Sequence, residues 1–165
     1  MTSFPLMVRP YSLKWVYVLG EDHEWQSPYD FGPNTLTFFD RKGIRRLELL
    51  PGGRIRVLKN YAWDGCSPKF CVFDIVVGTP DGVPNSDTQK PKTYYASLIH
   101  DALYQFLDVG VPLRRAQIDG IFLAIMTEHH FALRHVYYLA VRLFGGLYRR
   151  SVKGRFWRDG TRAVG

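Results

Sequence analysis

The chain has 165 residues, 46% of them hydrophobic and 22% charged, which is about one domain's worth of sequence with enough apolar material for a core. That composition excludes a collagen, a coiled coil, a disulfide-built mini-domain and a disordered tail, and no run approaches the ~18 apolar residues a membrane-crossing helix needs. The net charge of +7 is concentrated at the end: from Arg142 onward seven basic residues stand against one acid, Asp159, a balance of +6.

The early apolar patch Trp15 to Leu19 is too short, and too far into the chain, for a signal-peptide core, so the expected setting is a cytoplasm. Lys14 to Leu19 reads as a strand, and Gly20 to Asn34, with Pro28, Gly32 and Pro33, reads as a loop. Leu36 to Phe39 is a short strand and Asp40 to Gly43 a hairpin turn. Ile44 to Leu50 and then Arg54 to Val57 alternate around the turn Pro51-Gly52-Gly53. Residues 1–61 are therefore an antiparallel β meander. Residues 62–92 form a loop region with a strand expected only at Phe73 to Val77. Cys66 and Cys71 lie in it, and without a second pair they read as free thiols, Cys66 small and buried.

Residues 93–148 read as a three-helix core. Thr93 is placed to cap a helix from Tyr94 to about Leu107, with Ala96, Ile99, Leu103 and Phe106 along one stripe. Gly110 ends the connection, and Pro112 suits the first turn of a second helix from Leu113 to about Glu128. His129-His130 close that helix, where a histidine complements the dipole. A third helix is expected from about Phe131 to Tyr148, with Leu133, Tyr137, Ala140, Phe144 and Leu147 inward. Residues 149–165 are a basic tail. The whole is one α+β domain.

The densest chemistry lies on the first of these helices. His100 and Asp101 sit mid-helix in an apolar stretch and point about 100° apart, so they serve adjacent sites rather than one target. Tyr104 follows His100 by one turn. Burying an imidazole and a carboxylate there is costly unless each has a partner. Asp119, the only acid between Gln117 and Met126, can reach His100 if the first two helices pair antiparallel. A carboxylate on one ring nitrogen fixes the tautomer and leaves the other as a base. Asp101 then needs a cation or donors. The loop from Trp63 to Pro68 offers Asp64, the close backbone approach that Gly65 permits, and free carbonyls, an all-oxygen set suited to Ca2+. The plainer alternatives are a satisfied polar network that fixes helix packing and, for Asp64, a turn-forming Asp-Gly. A metal phosphohydrolase would need a further helical histidine upstream, and only His23 precedes, in the polar stretch.

These segments, in order, resemble the bacterial phospholipase A2 group. The matching strings are Trp-Asp-Gly-Cys-Ser-Pro from Trp63, Ala-x3-His-Asp-x2-Tyr from Ala96, Ile-Asp-x2-Phe from Ile118 and Tyr-Tyr-x-Ala-Val-x2-Phe-Gly from Tyr137. The match runs from about residue 60 to 146. The chain also resembles a family of uncharacterised phage and bacterial proteins. Those join an N-terminal β region to an Asp-Gly-x-Ser loop followed by proline, and to a His-Asp-x-Leu-Tyr helix. That second resemblance covers most of the chain.

The resemblance implies a phospholipase A2-like helical core and a calcium-dependent ester hydrolase. It casts His100 as the base that activates water, Asp119 as its orienting partner and Tyr104 as a brace. Asp64 and Asp101 would hold Ca2+ through carboxylates and Gly65 through its carbonyl. The phospholipase's helix cysteine falls here at Ser97, so its loop-to-helix disulfide is absent. The partner implied is a phospholipid or membrane surface. The alternative is a non-enzymatic phage component that keeps the scaffold and binds virion or host proteins. A nucleic-acid role is disfavoured, because the basic run carries no reader motif.

Overall fold

The computed structural model describes residues 17–63, 65, 69–72, 75–78, 89–143 and 163–164. Antiparallel sheets come first and three helices follow, so the architecture is α+β as expected. Strand β1 (Tyr17–Val18) pairs with β6 (Ala62–Trp63). The main sheet has the order β2-β5-β4-β3-β9, with β2 at His23–Gln26, β3 at Leu36–Phe39, β4 at Arg45–Leu50, β5 at Arg54–Val57 and β9 at Ala163–Val164. A separate hairpin joins β7 (Lys69–Val72) and β8 (Ile75–Gly78).

The meander β3-β4-β5 forms where the alternation places it. Phe38, Leu47, Leu49, Ile55 and Val57 are fully buried on one face. At the first turn both Lys42 N–H and Ile44 N–H donate to Asp40 Oδ1, at 2.8 and 3.0 Å, and Gly43 takes φ +75°. At the second turn Gly53 has φ +85°, and a Cβ there would collide with the Tyr29 carbonyl, so no other residue fits without a shift.

Two sequence expectations in the β region need correction. The stretch from Gly20 to Asn34 contains strand β2, where His23 and Trp25 face inward and Glu24 and Gln26 outward. It lies at the edge of the sheet, and the cross-strand pair Arg56 Nε to Glu24 Oε1, 2.6 Å, supports its polar face. Polar edge strands lack the apolar run that marks a strand in sequence. The strand expected at Phe73 to Val77 is present as β8 from Ile75, with residues 73 and 74 outside the described set, and the loop reading before it is corrected by β7, which pairs with it. The end of the basic tail also carries structure, since β9 pairs with β3 through Thr37↔Val164 and Phe38↔Ala163.

Helix α1 (Tyr94–Phe106) lies against β4 and β5 on one side and helix α2 (Arg115–Glu128) on another. Leu98, Ile99, Ala102, Leu103 and Phe106 are completely buried. Thr93 occupies the N-cap position with helical backbone angles and makes no side-chain capping bond, contrary to expectation. Helix α2 starts at Arg115, two residues later than the Pro112 signal implied. Gln117 sets that boundary, its side-chain oxygen accepting the Arg114 N–H at 2.7 Å. It ends at His129, and His130 adopts φ +50° so that His130 N–H reaches Thr127 O and Phe131 N–H reaches Met126 O. These two bonds are a left-handed helix stop with histidine where glycine is usual.

That stop delays the third helix, α3, to residue 134; it is helical through 143, where the described residues pause. Tyr137 and Val141 face the core. Leu133, expected inward, is exposed, because it precedes the helix. Phe144, Leu147 and Cys66 lie outside the described residues. Among the described residues no helix is long and apolar enough to cross a membrane.

Candidate functional site

Asp119 is the centre of the site. Its side chain is completely buried on α2, and four groups from three helices close on it. From α1, His100 Nε2 lies 3.1 Å from Oδ1 and Tyr104 Oη–H donates to the same oxygen at 2.6 Å. From α3, Arg142 Nη1 donates to Oδ2 at 3.0 Å. Arg115, one turn before Asp119 on α2, has its Nε 3.8 Å from Oδ2 and donates it to Tyr104 Oη at 2.9 Å. The other end of Arg115 donates to the main-chain oxygens of Val141 and Arg142.

The electrostatics follow from this enclosure. Burial alone pushes a carboxyl's pKa up, but His100, Tyr104 and Arg142 outweigh it and hold Asp119 below the usual carboxylate range. Burial, then the Asp119 charge beside it, pushes the Tyr104 phenol up, so it stays a donor. Asp119 is thus an acceptor-only group, and His100 must offer it Nε2–H. The remaining ring nitrogen, Nδ1, faces Asp101 Oδ1 at 3.6 Å. Burial works against a charged imidazole here, yet the two flanking carboxylates prevail and raise its pKa. The ring is held flat against Tyr104, 4.3 Å between centroids, and tilted against Phe122 at 5.0 Å.

The expected meeting of His100, Tyr104 and Asp119 is therefore present. His100 and Asp101, expected to serve adjacent sites, lie with Nδ1 and Oδ1 3.6 Å apart although their side chains leave the helix about 100° apart. Sequence reasoning missed Arg115 and Arg142. Arg115 was findable, since it stands four residues before Asp119, the one acid between Gln117 and Met126. Arg142 carried no local signal, because its partner is 23 residues away.

The proposed calcium donors are only partly described. Asp101 is half-buried, and Gly65 is buried with φ +79°. Asp64 lies outside the described residues. A carboxylate and a backbone carbonyl are the hard oxygen donors that Ca2+ prefers, so the residues present suit that ion in kind. Among the described residues no group of three or more His, Cys, Asp or Glu side chains is assembled to hold a metal. Where the phospholipase pattern has its helix cysteine, Ser97 instead accepts the buried Trp63 Nε1–H at 3.1 Å and donates to Tyr94 O at 3.0 Å. A hydrogen bond thus ties β6 to α1 next to Gly65.

Comparison of the chain with protein-family models, curated proteins and solved structures finds no match.

Proposed function

We propose that the chain is a calcium-dependent, phospholipase A2-like ester hydrolase, probed first on phospholipid. The observation that carries this reading is the line Asp101–His100–Asp119: one imidazole nitrogen fixed by a buried, ionised carboxylate, the other turned toward a second carboxylate. Asp119 and Tyr104 keep the ring in one orientation and one tautomer. Nδ1 is then the atom that accepts a proton from water, and Asp119 stabilises the imidazolium so formed. The contacts from His100, Tyr104 and Arg142 hold Asp119 ionised for that role. Asp101, with Asp64 and the Gly65 carbonyl, would hold Ca2+, which supplies Lewis-acid polarisation of the ester carbonyl when bound.

A second reading is favoured by the same contacts. Asp119 joins α1, α2 and α3 through satisfied hydrogen bonds, which is also what a packing device requires. On that reading the chain is a phage virion or host-interaction component. Fatty-acid release from phospholipid vesicles separates the two. The hydrolase releases it with Ca2+, stops with EDTA, and loses it in a folded His100→Asn variant. Absence of release from every lipid tested overturns the enzyme reading.

A further inference from the structure

Four of the six large hydrophobic side chains that are exposed among the described residues lie between positions 133 and 143: Leu133 at 52%, Val136 at 60%, Leu139 at 55% and Leu143 at 66%. At about 100° per residue, Val136, Leu139 and Leu143 fall within an arc of about 60°, on the side of α3 away from Tyr137 and Val141. Helix α3 is therefore apolar on two sides. One covers the core, and the other faces outward, where exposure of single apolar residues is the norm and a stripe is not.

The charge of the sequence that carries this stripe says what it meets. From His129 to Arg158 the sequence has no Asp or Glu, and it carries Arg134, Arg142, Arg149, Arg150, Lys153, Arg155 and Arg158. A second copy of the chain would bring the same basic, acid-free sequence, with no carboxylate in it to complement the cations. A leucine-rich helical face in an acid-free basic run matches a helix lying in the plane of an anionic lipid surface, with its apolar side chains below the headgroups and its cations among them.

We infer that the outer face of α3, through Val136, Leu139 and Leu143, with Leu133 just before the helix, is the seat of this chain on an anionic phospholipid membrane. The assignment rests for its purpose on the hydrolase reading and deepens it. Arg142, which donates to Asp119, is on the same helix, so the seat and the polar site are built on one element.

The test is co-sedimentation of the full chain with vesicles of phosphatidylglycerol or of phosphatidylcholine, at low and high salt. The wild type is expected to sediment with the anionic vesicles, weakly with the zwitterionic ones, and less as salt rises. The double variant L139E/L143E should lower partitioning by about tenfold or more, with helical circular dichroism unchanged. L139A/L143A, which adds no charge, should lower it less. Equal sedimentation of wild type and variants, or none with anionic vesicles, overturns the assignment. So does a wild-type dimer that L139E/L143E turns into a monomer without any vesicle binding, which would give the face to a second copy. Hydrolysis is read separately on a short-chain soluble ester. Binding without hydrolysis leaves the seat and removes the enzyme, whereas hydrolysis without binding does the reverse.

Discussion

Arg142 donates Nη1–H to Asp119 Oδ2 at 3.0 Å, linking the third helix to a fully buried carboxylate on the second. Asp119 has three side-chain donors on its two oxygens, so its removal orphans groups on α1 and α3 together. Asp119→Ala is expected to lower unfolding stability by about 3 kcal/mol, the scale for breaking a buried ionic network from one side. Asp119→Asn, which keeps one acceptor oxygen, should cost less. Urea denaturation followed by circular dichroism reads both. Equal stability of Asp119→Ala and wild type would mean the network contributes nothing to packing.

The two carboxylates beside His100 give a titration with a definite sign. Its pKa in the folded chain is raised, so the imidazolium adds stability that is full below about 6.5, the unfolded value, and is lost as pH rises through the folded pKa. Asp101→Asn removes one of the two charges and should bring the His100 titration down, as Asp119→Asn should by removing the other. Side-chain NMR of the metal-free protein measures this directly. A His100 titration unmoved in Asp101→Asn would mean the 3.6 Å approach carries no electrostatic weight.

How much of this was written in the sequence depends on the range of each interaction. The meander and α1 were legible because their signals are local: alternation at Leu47, Leu49, Ile55 and Val57, and helical spacing from Ala96 to Phe106. The grouping of His100, Tyr104 and Asp119 was legible because a short connection forces α1 and α2 to pair, and buried polar groups on facing helices must find one another. Strand β2 was not, since its supports are all distant in sequence: the partner strand about 30 residues on, Tyr95 against His23 and Glu128 accepting from Trp25. The late start of α3 was not, since His130 shows nothing in sequence of its left-handed backbone. Arg142 was read as part of a charge run, and its role appeared only when the fold delivered it to Asp119.

The helix stop at His130 offers a stabilising change. A histidine at φ +50° pays the left-handed penalty that glycine escapes. His130→Gly should therefore raise stability by about 0.5–1 kcal/mol while keeping the bonds from residue 130 to Thr127 O and from Phe131 N–H to Met126 O. A rise in melting temperature checks it. A fall would show that the His130 side chain holds a contact worth more than the strain.

His23 sets a different pH dependence from His100. Its ring stacks on Tyr95 at 4.1 Å, and burial first, then the positive charges of Lys90 and His129, lowers its pKa from 6.5 to about 4. The folded chain thus holds His23 neutral where the unfolded chain would protonate it. Below about 6.5 the unfolded state binds the extra proton, so stability present above that pH is lost as pH falls toward 4. The slope from this one group is no steeper than about 1.4 kcal/mol per pH unit, and less to the extent that water screens a partly exposed ring. His23→Phe keeps an aromatic ring against Tyr95 and removes the titration. Its stability profile between pH 4 and 6.5 should be flatter than that of the wild type, with the carboxylate contributions common to both. Parallel profiles for the two proteins across that interval would show that His23 does not titrate differently in the folded and unfolded chain.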